Sequence, residues 1–320
     1  MRATLFISVL FFLIGTLSQA QENKFSFEEQ YKVSSPVKLN ISISDGDVNV
    51  HPGVDGTIKV YYSVYKRGVF VDISKKELAE YVIIAVKHDA NLLDISVKSQ
   101  STYNWKNQYE VSFEVYAPVQ TSCYLKTSDG DIMLSGLKAD QKCHTSDGDI
   151  RVKKIDGKIE LVTSDGDIDV AEINGEMDME TSDGDIEAED VEGSLQMVTS
   201  DGDIEIKNVV GAVSALTSDG DIEAVDCSGS MTASTSDGDI HGYFLKVKNK
   251  LSFETSDGDI NITVPKGMGL NLKLKGETLR SQLTGFSGKS SEHHIEGEIN
   301  GGGIPVELIT TDGTITLSFE

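Results

Sequence analysis

A six-residue motif, T-S-D-G-D-I, recurs eight times along this chain of 320 residues. The copies start at Thr127, Thr145, Thr163, Thr181, Thr199, Thr217, Thr235 and Thr255. Six of the intervals between them are 18 residues long, and the last is 20. Degenerate copies at residues 43–48 and 310–315 bracket this array. A fixed period this short is the signature of stacked repeats, each of which buries its apolar face only against its neighbours.

Within one repeat, apolar and polar residues alternate, which is the pattern of a half-buried strand. In residues 145–162 the apolar set is Ile150, Val152, Ile155, Ile159 and Leu161. The alternation slips by one residue between Val152 and Ile155, which predicts a corner or a bulge. A second corner is predicted at the recurring glycines Gly157, Gly175, Gly193, Gly211 and Gly229. The Asp-Gly pair of the hexamer predicts a third turn, in which the glycine would adopt a positive φ.

Two all-β architectures use such a pattern. In a β-solenoid, 18-residue coils stack on one another and close the apolar face upon itself. In an antiparallel β-meander, each Asp-Gly pair would be a hairpin turn. The meander would leave one apolar face uncovered, because the array has no helical segment to cover it. The expected fold class is therefore a repetitive β-solenoid, with the meander as the alternative.

The first twenty residues predict a secretory signal peptide. Met1 and Arg2 precede a mainly apolar run at residues 5–17, and Ser18 and Ala20 are small residues at the positions that a signal peptidase reads. This run is shorter than the roughly 20 residues that a membrane-spanning helix needs. We expect an exported protein that does not span the membrane and is periplasmic, on the cell surface or secreted.

Three regions follow the predicted signal peptide at residues 1–20. Residues 21–126 are expected to form an N-terminal β-rich region with one short helix, which has Ser74 as N-cap and Glu77 as capping-box partner. Residues 127–264 form the repeat solenoid. Residues 265–320 form a C-terminal β region that ends in a degenerate repeat.

Several motifs in this order resemble one bacterial family. They are S-D-G-D-V at residues 44–48, E-V-S-F-E-V-Y-A-P at 110–118, the T-S-D-G-D-I array, I-N-I-T-V-P at 260–265 and T-D-G-T-I-T-L at 311–317. Behind a signal peptide, this combination is similar to the bacterial putative-adhesin domain family, a domain of unknown function. The resemblance covers nearly all of the mature chain. It implies an exported β-solenoid-like domain with an adhesive or envelope role, and it implies no catalytic residue.

The charge and the cysteines narrow the possible partners. With 52 acidic and 28 basic residues, the net charge is −24, which repels phosphate backbones and argues against a nucleic-acid partner. Three cysteines match no disulfide scaffold or metal spacing. Cys123, Cys143 and Cys227 fall at inward positions, which predicts apolar core residues. A Cys123–Cys143 disulfide is the alternative, and it requires an irregular first coil because a regular coil offsets the two residues.

The two aspartates of each hexamer are the sharpest chemical feature. Stacked coils lie about 4.8 Å apart, so the aspartates would form rows whose charges repel by roughly 1 kcal/mol per pair in water. A structural explanation is that carboxylates such as Asp147 and Asp149 accept backbone and hydroxyl hydrogen bonds in the turn. The alternative is Ca²⁺ bound between successive turns. The motif lacks the G-G-x-G-x-D nonamer of calcium-binding β-rolls, so no metal or cofactor site is assigned.

The sequence assigns no catalytic residue, and the chain is not expected to be an enzyme. Paired carboxylates can cleave glycosidic bonds, but near-identical turns do not separate the pKa values of an acid and a base. His293 and His294 lie in a polar stretch without a metal-ligand spacing, which indicates a solvated loop. No nucleophile-elbow, Walker or dinucleotide-binding motif is present.

Aromatic residues cluster before the array, and their alternation assigns most of them to the core of the N-terminal region. They are Tyr61, Tyr62, Tyr65, Phe70, Tyr103, Trp105, Tyr109, Phe113 and Tyr116. Tyr103, Asn104 and Trp105 lie in a polar loop, where an exposed Trp would anchor a sugar or a protein partner. The alternative is that this loop packs back on its own domain.

The first functional hypothesis is an exported, non-enzymatic adhesin or cell-envelope binding module, whose long faces present polar side chains to a glycan or a cell-surface protein. The alternative is a structural envelope protein without a specific ligand, which self-associates through edge strands. A carbohydrate-active enzyme is the third choice.

Overall fold

The computed structural model describes residues 24–100 and 109–320 of the chain. The predicted signal peptide at residues 1–20 and the loop with Tyr103, Asn104 and Trp105 lie outside the described residues. Nearly all secondary structure in the described ranges is β-strand. No helix within these ranges combines the length and the apolar character that crossing a membrane requires.

Eight strands and one short helix precede the array. They are β1 (Phe27–Lys32), β2 (Val37–Ser42), β3 (Val48–Pro52), β4 (Thr57–Lys66), β5 (Val69–Phe70), α1 (Lys75–Leu78), β6 (Val82–Asp89), β7 (Leu92–Ser99) and β8 (Tyr109–Ala117). Helix α1 begins as predicted, with Ser74 as its N-cap. The reciprocal side-chain and backbone hydrogen bonds of a capping box join Ser74 and Glu77.

The array itself is a stack of parallel coils. Its strands are β9 (Thr121–Lys126), β10 (Ile132–Ser135), β11 (Gln141–His144), β12 (Ile150–Lys153), β13 (Ile159–Val162), β14 (Ile168–Glu180), β15 (Ile186–Val198), β16 (Ile204–Leu216), β17 (Ile222–Ser234) and β18 (Ile240–Glu254). Successive coils pair in parallel at a shift of 18 residues, so Ile168 lies beside Ile186, and the shift becomes 20 residues at the last interval, where Ile240 lies beside Ile260. The β-solenoid is confirmed. The meander is wrong for the array, because the chain never reverses there and instead advances one coil per repeat.

Seven strands complete the chain after the array. They are β19 (Ile260–Val264), β20 (Leu270–Lys275), β21 (Thr278–Ser281), β22 (Phe286–Ser290), β23 (His294–Ile299), β24 (Ile304–Ile309) and β25 (Thr314–Phe319). Strands β24 and β25 pair in parallel with β18 and β19, so the degenerate turn at residues 310–315 stacks on the last hexamer turn. Strands β20 and β21 pair in parallel on the far side of β24 and β25 and continue the stack.

Two ladders of strands run along the solenoid, and the hexamer turn joins them in every coil. One ladder begins β6, β7, β2, β9, β11, β13. The other begins β1, β4, β8, β3, β10, β12. Antiparallel pairs occur in the two flanking regions, where β4 pairs with β8 and β20 with β23. Parallel coil pairing therefore continues from the array into both flanks.

The core lies inside the coils and consists of columns of equivalent side chains. The isoleucine that ends each hexamer forms one such column, and every member is 1% exposed or less: Ile132, Ile150, Ile168, Ile186, Ile204, Ile222, Ile240 and Ile260. Each coil gains its apolar contacts from the coils above and below it, as the repeat predicts.

Each coil turns at two further corners. At the first corner, Lys154, Glu172, Asp190, Asn208 and Asp226 have φ between 52° and 59°. This left-handed residue produces the one-residue slip in the alternation that the sequence predicts. The second corner lies at the predicted glycines, where Gly157, Gly175, Gly193 and Gly229 have φ between 144° and 157°.

The glycines of the hexamer serve a different purpose from the predicted one. Gly46 has a φ of 119°, but the glycines of the eight T-S-D-G-D-I hexamers do not adopt positive φ. They are Gly130, Gly148, Gly166, Gly184, Gly202, Gly220, Gly238 and Gly258. Their requirement is steric, because each α-carbon approaches the preceding coil too closely for a side chain. A Cβ on Gly184 would lie 2.0 Å from the carbonyl oxygen of Gly166.

The threonines of the hexamer satisfy buried backbone groups between coils. The Thr181 side chain is buried, and its hydroxyl lies 3.0 Å from the carbonyl oxygen of Gly166 and 3.2 Å from that of Ser164. The hydroxyl oxygen of Thr181 also accepts a hydrogen bond from the amide N–H of Gly184 at 3.4 Å. A buried carbonyl that loses its donor carries a desolvation penalty, which explains why a hydroxyl recurs at this position.

Replacement of Gly184 by alanine tests the steric requirement. Because the clash is with backbone, the coils must separate to accommodate a methyl group, and we expect the free energy of unfolding to fall by about 3 kcal/mol. The measurement is denaturant or thermal unfolding. Gly68→Ala is the control, since nothing lies within 4 Å of its added Cβ and only its φ of 74° opposes the change. That control is expected to lose about 1 kcal/mol. Equal losses in the two variants would contradict the steric role.

Replacement of Thr181 by valine tests the hydrogen bonds between coils. Valine keeps the shape but removes the hydroxyl, so we expect a loss of about 1–3 kcal/mol in the free energy of unfolding. Thr232→Val is the matched control, because Thr232 is exposed on the outer side of β17. The control is expected to change stability by less than about 0.5 kcal/mol. The explanation fails if the buried and exposed substitutions have the same effect.

Candidate functional site

The second aspartate of each hexamer forms a continuous ladder along the solenoid. Its Oδ1 accepts the backbone N–H of the second aspartate in the next coil, as in the 3.0 Å bond from the Asp149 amide to Asp131. Equivalent bonds run from Asp47 at one end to the Thr314 amide on Asp259 at the other. The predicted structural role is confirmed for the second aspartate of each hexamer, Asp149 included, but the donor belongs to the neighbouring coil and not to the same turn. For the first aspartate, such as Asp147, that role stays a prediction.

One arginine offsets part of the repulsion along this ladder. Arg151 spans three coils: its guanidinium lies 2.7 Å from Asp149, 3.1 Å from Asp169 and 3.9 Å from Asp131. Burial acts to lower the pKa of Arg151, but the three carboxylates outweigh it and raise that pKa. Among the described residues, no group of three His, Cys, Asp or Glu side chains has the geometry to hold a metal ion.

The three cysteines are buried free thiols, as their inward positions predict. Cys123 lies beside Gln141 and Cys143 beside Leu125, so the regular register offsets the two cysteines. Burial raises the pKa of Cys143 to about 12, which keeps this thiol protonated and unreactive. His293 is solvent-exposed, as expected, with a side chain 64% accessible. His294 does not lie in a loop, because it begins strand β23, and its side chain is 43% accessible.

A shallow groove crosses the outer surface of β14 to β17, at the second corner of the coils. Its volume is about 490 Å³, and the inward-directed Leu195, Val213 and Met231 form its floor. The side chains on its two rims are Ser194, Gln196, Ala212, Ser214, Ser230 and Thr232. We call these six residues with their floor the uncharged groove. The two ends of the groove are charged: Lys158, Glu176 and Asp178 line one end together with Met177, and Asn249 and Lys250 line the other.

Between its charged ends, the uncharged groove carries no ionisable side chain on its rims or floor. In the preceding coil, Glu176 and Asp178 occupy the positions directly beside Ser194 and Gln196. In the following coils the same positions carry Ala212 and Ser214, then Ser230 and Thr232. The sequence analysis did not identify this groove. The signal was present as the loss of charge at equivalent positions of three repeats, but only the register shows that these positions share one face.

Calcium removal tests the ladder as a metal site. Because every Oδ1 already accepts an amide N–H, we expect the thermal unfolding midpoint of the mature protein to be the same in excess chelator and across a Ca²⁺ titration. A native-state site would raise the midpoint with increasing ion concentration. Such a rise, absent when Mg²⁺ replaces Ca²⁺, would contradict the purely structural role.

One family model matches most of the chain. The family model described as Toastrack DUF4097 matches residues 37–225 and 180–318. No curated protein is significantly similar in sequence. Three solved structures were aligned with the chain. A putative cell adhesion protein from Clostridium sporogenes has 12% identity and a TM-score of 0.24, with 92% of this chain and 99% of that chain covered.

The other two structures are putative adhesins. The Bacteroides fragilis protein has 14% identity and a TM-score of 0.35, with coverage of 92% of this chain and 96% of that chain. The Parabacteroides distasonis protein has 13% identity and a TM-score of 0.41, with coverage of 74% and 96%. The two matches of the family model together span residues 37–318, nearly all of the solenoid and its flanks. The chain belongs to the Toastrack family, DUF4097.

Proposed function

We propose that this protein is an exported, non-enzymatic binding module of the adhesin type, built on a rigid β-solenoid. The observation that carries the proposal is the uncharged groove, a concave strip of hydroxyl, amide and small side chains on a protein with a net charge of −24. Such a strip contacts a neutral ligand without the desolvation of charged groups that contact with the acidic faces would require. The predicted signal peptide supports the exported location.

The geometry of the solenoid favours an extended ligand. The rims of the uncharged groove repeat from coil to coil with the strand spacing of about 4.8 Å, so equivalent hydrogen-bonding groups recur along one direction. Ser194, Ser214 and Thr232 supply hydroxyls that donate or accept, and Gln196 supplies an amide. A glycan chain or an extended segment of a cell-surface protein presents matching groups at regular intervals.

A structural envelope role is the second candidate, and open strand edges support it. Strand β22 pairs only with β23, and β6 pairs only with β7, so each has one edge without a named strand partner in the described chain. Exposed edges of this kind join copies of a protein end to end. Long assemblies that form without any binding to cells or glycans would favour this role.

A charge placed in the groove tests the binding role. Ala212 lies at the centre of the uncharged groove, and Ala212→Glu is expected to weaken binding at least tenfold because it obstructs the groove and adds a repelling charge. Ala171→Glu is the matched control, since Ala171 faces outward from β14 between Lys153 and Glu189 on the other ladder. The measurement is binding of the mature protein to intact bacterial cells and to an immobilised panel of neutral and acidic polysaccharides.

Two results would overturn this proposal. One is the absence of binding to every cell and polysaccharide while the protein remains folded. The other is an equal loss of binding in the two alanine variants, which would show that added charge acts wherever it is placed. Turnover of a polysaccharide in the same panel would favour the carbohydrate-active enzyme instead.

A further inference from the structure

Four aromatic rings form a contiguous line on the outer side of the N-terminal sheet. They are Phe25, Tyr61, Tyr116 and His51, and we call them the aromatic patch. The ring centroids of Phe25 and Tyr61 are 4.6 Å apart, those of Tyr61 and Tyr116 are 6.0 Å apart, and those of Tyr116 and His51 are 5.4 Å apart. The rings come from the segment before β1 and from β4, β8 and β3, which adjoin in the sheet.

The outward orientation of the aromatic patch differs from the sequence-based expectation. The neighbouring aromatics Tyr62 and Phe113 are fully buried, as the alternation predicts. Tyr116 lies on the opposite side of the same sheet and is 37% exposed. Tyr61 and Tyr116 meet at 88°, so their rings form a right-angled corner and not a flat stack.

A hydrogen-bonded carboxylate beneath the rings fixes their positions. Glu114 accepts hydrogen bonds from the Tyr116 hydroxyl at 3.2 Å and from the Asn49 amide at 3.3 Å. His51 Nε2 lies 2.9 Å from the same carboxylate, and its Nδ1 lies 3.2 Å from the hydroxyl of Ser135. Burial acts to raise the pKa of Glu114, but these partners, His51 foremost, lower it and keep the carboxylate ionised.

This network makes the aromatic patch a preorganised surface. Holding the side chains in place before binding reduces the entropy that a ligand must offset. Tyrosine is also an efficient contact residue, because its ring is large, rigid and polar only at its tip. The carboxylate of Glu114 contacts Tyr116, Asn49 and His51. The hydroxyl groups of Tyr116 and Ser135 border the rings. The patch therefore offers apolar ring surface bordered by hydroxyl groups, with the exposed charges of Lys59 beside Tyr116 and of Glu28 beside Tyr61.

The charges around the patch select the kind of ligand. The nearest charges, Lys59 beside Tyr116 and Glu28 beside Tyr61, are opposite in sign and offset one another. Further along the same outer face, Arg151 on β12 is followed by Asp169, Glu187 and Glu205 at equivalent positions, so a polyanion is repelled by these later coils. A cation would be attracted along that whole acidic face and would have no reason to prefer the patch. A pyranose ring combines an apolar face of C–H bonds with a rim of hydroxyls, which matches ring surface bordered by hydroxyl and amide groups.

We propose that the aromatic patch is a binding site for a neutral glycan, with Tyr116 as its central contact residue. Tyr61 closes one side of the corner, and Glu114 is a positioning residue that holds Tyr116 and His51. The site is separate from the uncharged groove, which lies on the later coils. The inference rests on the proposed binding role, and it names a ligand class and a second site for that role.

The experiment compares two exposed tyrosines. Tyr116→Ala is expected to weaken binding of soluble neutral polysaccharides at least tenfold, with a β-glucan, a xylan, a mannan and a galactan as the probes in calorimetric titrations. Tyr124→Ala is the matched control, because Tyr124 is 40% exposed on the other ladder and lies outside the patch. It is expected to bind as the unaltered protein does. Tyr116→Phe, which keeps the ring and loses only the bond to Glu114, is expected to lose less than fivefold.

The thermal unfolding midpoint of each variant separates a binding defect from misfolding, and Tyr61→Ala provides a second test if Tyr116→Ala does not fold. The proposal is overturned if no neutral polysaccharide binds, if Tyr116→Ala and Tyr124→Ala are equally affected, or if tetramethylammonium occupies the patch and competes for it. Binding to cells that Ala212→Glu abolishes and Tyr116→Ala leaves unchanged would overturn the patch and retain the proposed binding role. If the unaltered protein binds neither cells nor polysaccharides, both the aromatic patch and the proposed binding role are overturned.

Discussion

The backbones of successive coils approach each other closely at the hexamer glycines, and the rest of the solenoid depends on this contact. At every hexamer, the α-carbon of one glycine lies against the carbonyl oxygen of the preceding glycine, with no room for a side chain. This approach allows the threonine hydroxyl and the aspartate carboxylate to reach the backbone of the neighbouring coil. The inward isoleucines then align in one buried column. A coil without that contact would lose its hydrogen bonds and its apolar contacts together.

The same contact explains how an acidic protein stacks identical carboxylates. Rows of aspartate at the coil spacing repel one another, but each Oδ1 accepts an N–H from the next coil. A hydrogen bond from a neutral amide to a carboxylate stabilises the charge without a counterion. Arg151 adds direct ion pairs to two aspartates of this ladder, Asp131 and Asp149, and to Asp169 on the next coil. The aspartates thus serve the fold first, which leaves ligand binding to surfaces where the repeat pattern is interrupted.

Both candidate binding surfaces lie at such interruptions. The uncharged groove occurs where three successive coils replace acidic outward residues by Ser194, Ala212, Ser230 and their neighbours. The aromatic patch occurs where antiparallel strands join the parallel stack, so that Tyr61 on β4 meets Tyr116 on β8. A regular coil presents the same kind of surface at every step. A distinct surface therefore requires a change of side chains in the array or a change of strand direction at its end.

The sequence by itself determined the coil length, the inward columns, the two corners between hexamers and the capping box at Ser74, because each depends on spacing within one or two repeats. It also placed the cysteines inside. The hexamer glycines were predicted for the wrong reason, since a close approach between coils depends on residues 18 positions apart. Only the tertiary structure decided that the carboxylates bond to the next coil, that Ser194, Ala212 and Ser230 share one groove, and that Glu114, His51 and Tyr116 meet. These contacts join side chains that are far apart in the sequence. The alternation of apolar and polar residues shows only that each of them faces outward, and strand pairing fixes which of them become neighbours.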